Sequence, residues 1–366
     1  MAPAVRVLCE SELAQTALDE HGELAPCEKF AQECHWRSYW RTWLELRPQL
    51  WANYRNRVGE QRENLAKVQL HRAAQIEADE SGVGIMDAFA RELVETGYLH
   101  NHARMWFAAF WIHSERLPYE LGADLFERHL ICACPAANTL SWRWIAGVQT
   151  KGKAYLARRS NLEKYCAPEY LEAGGLEALE KPKAAPFPDE PGYEAQTPNF
   201  QTDFDGANAG LWISEDDLAP ETSVLGALNP CAVCTSVVGA PVKSQQSNGL
   251  RREFRLAAAR DAGERARAKW SVEATNFEAS APADLAPQML DWARENELKT
   301  VVALKPFVGP SGDALPALQD ALTEAGVTLQ LLRRAPDAAL YPFADRGFFK
   351  FWGGVKKAGD VGVPSS

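Results

Sequence analysis

The chain has 366 residues, enough for two domains with a core in each. With 46% hydrophobic and 24% charged residues its composition is that of an ordinary soluble protein, and no apolar run reaches the length needed to span a bilayer. A net charge of −10 argues against a nucleic-acid footprint over the whole surface. The opening MAPAVRVLCESELAQ lacks the pattern of a secretory signal, so the chain reads as intracellular and cytoplasmic, with its eight cysteines as free thiols.

Residues 1–172 read as helical almost throughout. Glu10 to Glu20 is short and polar, and Glu28 to Leu46 is amphipathic and ends at Arg47-Pro48. Glu33, Trp36 and Trp40 fall at i, i+3 and i+7 and share a face. Trp51 to Gln75 continues helical to a break at Ser81–Gly84, and Met86 to Thr96 is a helix whose stop signal is Gly97. Gly97 to Trp144 then carries apolar residues at helical spacing, interrupted by His100, Asn101, His102, Arg104, Asn138 and Arg143. Buried polar groups need partners, either other side chains or a flat polar ligand. Pro118 starts a helix reaching about Cys132, and Pro135 starts the helix of Asn138.

Lys151, Lys153, Arg158, Arg159 and Lys164 form a basic cluster, which is either a solvated loop or a phosphate-contacting one. The part before residue 173 holds 20 basic against 23 acidic residues and the remainder 19 against 26, so the first part suits an anionic partner better. Residues 173–208, rich in Pro, Gly and acid, read as a linker. In 209–352 the pattern changes. Leu211–Ser214, Ser223–Leu228, Thr300–Leu304 and Val327–Leu332 read as strands, and Leu250–Trp270, Leu285–Asn296 and Ala314–Ala325 as helices. That alternation predicts a parallel sheet faced by helices, a Rossmann-like α/β domain, with 353–366 as a flexible tail. No Gly-rich phosphate loop, nucleophile elbow or Ser/His/Asp set is present. Cys132-x-Cys134 and Cys231-x-x-Cys234 lack the company a zinc site requires, so no metal is expected.

At GYLHNHARM and LICACPAANTLSWRW the sequence resembles the photolyase/cryptochrome family, whose FAD-binding domain carries Gly-Trp-Met-His-Asn-Arg-x-Arg and then Asp-Gly-Asp-x-Ala-x-Asn-x-x-x-Trp-x-Trp. SGVGIMDAFARELVETGYLHN and KFAQECHWRSYWRTW resemble two further motifs of that domain, in the same order, so that the likeness covers about residues 24–165. LWISEDDL and LDWARENELKTVVALKPFVGPSGDALPALQDALTEAGVTLQLLRRAPDAALYPF resemble the family's α/β antenna-type domain, here placed after the helical one.

The resemblance implies an all-α FAD-binding domain over 1–172 and an antenna-like domain over 209–352. It implies FAD held by Phe30, Arg37, Asn101, Arg104, Cys132, Cys134 and Asn138, with Asn138 facing the flavin N5. Trp142 falls at the electron-relay position nearest the flavin and Tyr119 at the next. Trp36 and Trp144 match the pair that flanks a flipped thymine dimer, and Glu33 the carboxylate that bonds it; base–aromatic stacking is worth roughly 1–3 kcal/mol per base. Lys151, Lys153, Arg158 and Arg159 would meet DNA phosphates. Asn101 stands where (6-4) enzymes carry a catalytic His, which points to the cyclobutane-dimer branch.

The implied activity is light-driven electron transfer from FAD to a cyclobutane pyrimidine dimer in damaged DNA, by a monomer away from membranes. The alternatives are a cryptochrome-like blue-light sensor, a degenerate non-catalytic homologue with weakened FAD binding, and a scaffold without flavin. Two departures weigh on the first. The family's Asp-Gly-Asp is Cys132-Ala133-Cys134 here, and too few residues precede the Glu33 helix for the family's pyrophosphate-binding stretch.

Overall fold

The structure is a computed structural model that describes residues 5–150, 152–196, 198, 200, 201, 203, 204, 206, 208–239 and 249–358. The chain divides into two compact units. One comprises Met1–Pro48, Glu194–Gln245 and Arg252–Ser366, and the other Gln49–Tyr193 with Gln246–Arg251. This corrects the expected boundary at 172. Residues 5–48 pack with the α/β part, and 173–193 packs with the helices instead of forming a free linker.

The first unit opens on a helical hairpin, α1 (Glu10–His21) and α2 (Leu24–Glu45). Gly22, in the left-handed region at φ 72°, closes α1.

The second unit holds α3 (Pro48–Asn64), α4 (Lys67–Glu77), α5 (Gly84–Thr96), α6 (Asn101–Ala109), α7 (Tyr119–His129), α8 (Pro135–Ile145), α9 (Arg159–Tyr165) and α10 (Pro168–Leu171). The run expected from Trp51 to Gln75 is two helices, α3 and α4. Asp87, in the first turn of α5, ties down the turn before it by accepting from the Ser81 and Gly82 amides at 2.7 and 3.2 Å. Gly97 ends that helix at φ 66°, and a Cβ there would lie 2.6 Å from Ile131 Cγ1, so both backbone conformation and space require glycine. Beyond α6 the chain makes one π turn, Phe110–Ser114. Phe89, Phe107, Phe110, Trp111 and Trp142 are fully buried and form the centre of this unit.

The α/β part of the first unit contains β1 (Ala209–Ser214), β2 (Ala232–Val238), α11 (Leu250–Trp270), β3 (Ala274–Ala279), α12 (Leu285–Glu295), β4 (Thr300–Leu304), α13 (Pro310–Asp313), α14 (Leu315–Glu324), β5 (Thr328–Leu332), α15 (Ala335–Ala338) and α16 (Phe348–Ala358). All five strands are parallel, in the order β3-β2-β1-β4-β5. Burial on both faces explains the unbroken apolar runs. Leu211, Ile213 and Val302 pack on one side with Ala262 and Ala266 of α11. Trp212, Val301 and Ala303 pack on the other with Met289 and Trp292 of α12 and Leu318 of α14. The expected strand Ser223–Leu228 is instead a 3-10 turn, Val224–Ala227, because the Ser223 hydroxyl accepts from the Leu225 amide at 3.1 Å. In the expected tail, α16 runs to Ala358 and buries Val355; residues 359–366 lie outside the described ones.

A doubly wound sheet takes ligands at the carboxyl ends of its strands, where the strand order reverses. Here that crevice, beside β1 and β4, is occupied by the chain itself. Asp217, following β1, pairs with Arg334 at 2.7 Å, and Arg6 pairs with Asp337 at 2.6 Å. Glu45 of α2 pairs with Arg333 at 2.7 Å. The Arg41 and Arg333 guanidiniums stand 4.6 and 4.3 Å from the Phe307 ring centre.

Candidate functional site

In the helical unit, α6 presents Arg104 to the loop that joins α7 to α8. Its Nε donates to the Leu99 carbonyl at 2.7 Å, and one terminal nitrogen lies 3.3 Å from Cys132 Sγ. The cation therefore keeps a partner at the position read as the flavin clamp, although sulfur accepts a hydrogen bond weakly. Cys134 is buried at the start of α8. Asn138, one turn on, is buried and donates from Nδ2 to the Ala123 carbonyl of α7 at 2.7 Å. Asn101 is exposed at the first position of α6.

One further turn along α8, Trp142 is enclosed by aromatic edges. Phe126 lies 5.0 Å away at 82° and Trp111 6.4 Å away at 88°, ring centre to ring centre. The indole lies over Gly122 of α7, where a Cβ would come within 2.3 Å of it. The Trp111 indole donates to the Pro118 carbonyl at 2.8 Å, immediately before Tyr119. The π turn sets Trp111 there, an insertion that often marks functional sites.

Tyr119 is buried in a charged cluster that the sequence reading missed. Its hydroxyl donates to Glu190 Oε1 at 3.2 Å and accepts from Arg143 at 3.0 Å. Arg143 also donates to Glu190 Oε2 at 2.8 Å, and Arg57 pairs with the same carboxylate. Burial opposes ionisation of Glu190, but Arg143 and Arg57 outweigh it and hold the carboxyl below its usual range. Burial, seconded by Glu120, pushes the Tyr119 phenol well above its usual range. Arg143 stood out in the sequence as a polar residue in an apolar run. Glu190 lies in a Pro-rich stretch without periodicity, so no local signal paired the two.

Of the remaining expected positions, Trp144 is half-buried with its ring 5.8 Å from Tyr155. Lys153 and Arg158 are exposed, and Lys151 lies outside the described residues. Arg159 is already paired, with Glu163 at 2.7 Å and Glu180 at 3.0 Å, so its charge is locally neutralised.

Four expected positions belong to α2, in the other unit. Phe30 and Glu33 are exposed there. Arg37 is turned to the buried Glu10 at 3.0 Å, an ion pair of the hairpin. Trp36 stacks on Phe348 of α16, ring centres 3.6 Å apart and planes within 10°. Tyr39 adds an edge contact at 5.7 Å and Trp40 a tilted one at 5.2 Å. A base expected on Trp36 finds one face already covered. Among the described residues no group of His, Cys, Asp and Glu suits a metal ion.

Residues 30–166 match the family described as the FAD binding domain of DNA photolyase, so this segment is a photolyase-type FAD-binding domain and FAD is the cofactor of its class. The match begins within α2 and runs through α9. The deoxyribodipyrimidine photo-lyase of Streptomyces griseus is 30% identical over 124 residues, 34% of this chain and 26% of that protein. The photo-lyase of Alkalihalophilus pseudofirmus is 38% identical over 76 residues, 21% of this chain and 16% of that one. A cryptochrome DASH of Idiomarina loihiensis is 34% identical over 80 residues, 22% of this chain and 17% of that one. The chain thus spans about a quarter or less of the length of these relatives. No solved structure matches it. Among the described residues no helix is long and apolar enough to cross a membrane.

The residues present fit FAD with weakened acceptors. A cation and an amide remain in Arg104 and Asn138, whereas two thiols stand where the family has carboxylates.

Proposed function

We propose that this chain is a cryptochrome-like, light-responsive flavoprotein that does not repair DNA. The observation that carries this is the Trp36 ring, stacked on Phe348 at 3.6 Å, while Trp142 remains enclosed by aromatic rings in the helical unit. The group that a repair enzyme needs for its substrate is engaged within the fold. The group that an internal electron donor needs is kept dry and in contact with a second indole.

FAD, when bound, supplies light absorption and one-electron chemistry. Arg104 would bind it from the clamp and Asn138 would orient it, one amide hydrogen being already fixed by Ala123. Phe126 and Trp111 exclude water from Trp142. Trp142 and then Tyr119 stand as the electron donors. The paired Arg159 and the net charge of −10 also count against a working DNA face.

The experiment is blue illumination of the flavin-loaded protein, with and without an oligonucleotide containing a cyclobutane dimer. Flavin photoreduction with the dimer unchanged is expected, and Trp142→Phe should slow that photoreduction by about tenfold or more, one order of magnitude corresponding to about 1.4 kcal/mol in barrier. Splitting of the dimer in light but not in darkness would overturn the reading in favour of repair, the activity named for the photo-lyase relatives.

A further inference from the structure

We propose that Glu190 is the proton acceptor of Tyr119. When Tyr119 gives one electron to an oxidised indole on the Trp142–Trp111 side, its phenolic O–H breaks and the proton passes to the Glu190 carboxylate. A neutral tyrosyl radical and a neutral carboxylic acid remain, and the indole radical cation is reduced to the indole. This deepens the reading above and rests on it only in taking Tyr119 as an electron donor. Glu190 lies outside the matched segment 30–166.

The hydrogen-bond directions are fixed by chemistry. An arginine only donates, so the Tyr119 oxygen accepts from Arg143 and its own hydrogen points to Glu190 Oε1, 3.2 Å away. Tyr119 is 3% exposed, and its hydroxyl points at a carboxylate, a far stronger base than any water in the cavity that it lines. The adjacent carboxylate in the chain, Glu120, is engaged by Gln61 at 3.0 Å and Arg57 at 3.3 Å. A phenol radical cation held 3.0 Å from the Arg143 guanidinium would be strongly disfavoured, so the electron can leave only if the proton does. Arg143 and Arg57 keep Glu190 ionised and therefore able to accept. The contact path is continuous: Trp142 to Trp111 at 6.4 Å, then the Trp111 indole on the Pro118 carbonyl at 2.8 Å, next to Tyr119.

The test needs no flavin. Azide radicals made by pulse radiolysis of the full chain oxidise indoles, and the tyrosyl absorbance that grows as indole radical decays reports transfer to tyrosine. Tyr119→Phe isolates the share due to Tyr119. In Glu190→Gln that share should fall about a hundredfold or more, the low end of what a positioned base contributes. It should recover in Glu190→Ala with added acetate, and in the parent chain it should slow in heavy water. Circular dichroism of each variant verifies folding, and the acetate arm separates a lost base from a disturbed structure. If Tyr119→Phe removes no component, or if the component persists unchanged in Glu190→Gln and Glu190→Ala, the proposal is overturned. Failure of flavin photoreduction would count against the function proposed above without touching this result.

Discussion

Gly122 shows how a single residue holds the aromatic site together. In a helix interior, glycine to alanine is worth up to about 1 kcal/mol in favour of alanine. Here the added carbon would come within 2.3 Å of the Trp142 ring, and overpacking of that kind costs about 1–3 kcal/mol. Gly122→Ala should therefore destabilise the protein, with a changed tryptophan emission, and denaturant unfolding gives the sign directly. His129, at the end of α7, is governed by charge. Burial, then Arg128 beside it, lowers its pKa to about 4. A lowered histidine pKa means that the unfolded chain binds the extra proton, so stability rises with pH across that window. The contribution is complete above about 6.5 and is lost as pH falls towards 4; His129→Gln should flatten the acid limb of a stability–pH profile. At Cys132 and Cys134 the missing acceptors are each worth about 1–3 kcal/mol. The double change Cys132→Asp, Cys134→Asp should tighten FAD binding by one to a few decades in a flavin titration. Equal affinities would exclude these cysteines as the source of weak binding.

At the scale of elements, periodicity identified the helices and failed where contacts outside the element decide. The stretches around Met86–Thr96 and Pro135–Trp144 are helices because a one-sided apolar stripe and a stop or start signal agree. β3 carries no such stripe: Ala274–Ala279 is an edge strand, mostly half-buried or exposed, and ATNFEA looks like loop. β2 was hidden by its cysteine and its small residues, which are buried only because β1 and β3 flank them. The segment 183–193 is the clearest case. It has no regular structure, yet it is tied across the helical unit at several points. Glu190 meets Arg143, the Ala185 amide donates to His113 Nδ1 at 3.1 Å, and the Lys183 carbonyl accepts from Arg116 at 3.3 Å. Phe187 lies against Gly147, and a cavity of about 520 Å³ remains beneath, between residues 185–189 and Arg57, Ile112 and Tyr119. Removing one tie should loosen the strap without unfolding the helices. Phe187→Ala is expected to raise the rate of limited proteolysis within 183–193 several-fold while leaving helical circular dichroism unchanged.

At the scale of the whole chain, the sequence order suggests a helical domain followed by an α/β domain, and the chain is divided differently. The reason is electrostatic and long-range. Arg6 and Glu10 are buried, and so are the partners they and α2 find in the α/β part: Asp217, Asp337 and Arg333. Glu10 alone gathers Arg6 at 3.2 Å, Arg37 at 3.0 Å and Arg41 at 3.2 Å. No local pattern reveals that a carboxylate at 45 pairs with a guanidinium at 333, so the resemblance of residues 24–165 to one domain could not show that residues 5–48 pack within the same unit as the sheet. Breaking a buried pair by removing one partner costs about 3–5 kcal/mol, and deleting residues 1–48 would remove the partners of Arg333 and Asp337 together. That loss is comparable with the whole stability of a domain, about 5–15 kcal/mol. It would also uncover the apolar residues of α16 that pack on the hairpin. Residues 194–366 expressed alone are therefore expected to aggregate or to lack a cooperative thermal transition, and coexpression with residues 1–48 should restore one. Residues 49–193 expressed alone should retain helical circular dichroism and a cooperative transition, since Trp111, Trp142 and the Arg143–Glu190 pair all find their partners within that segment. A well-folded 194–366 fragment would show that the hairpin is dispensable and that the division at 172 read from the sequence describes the folding units after all.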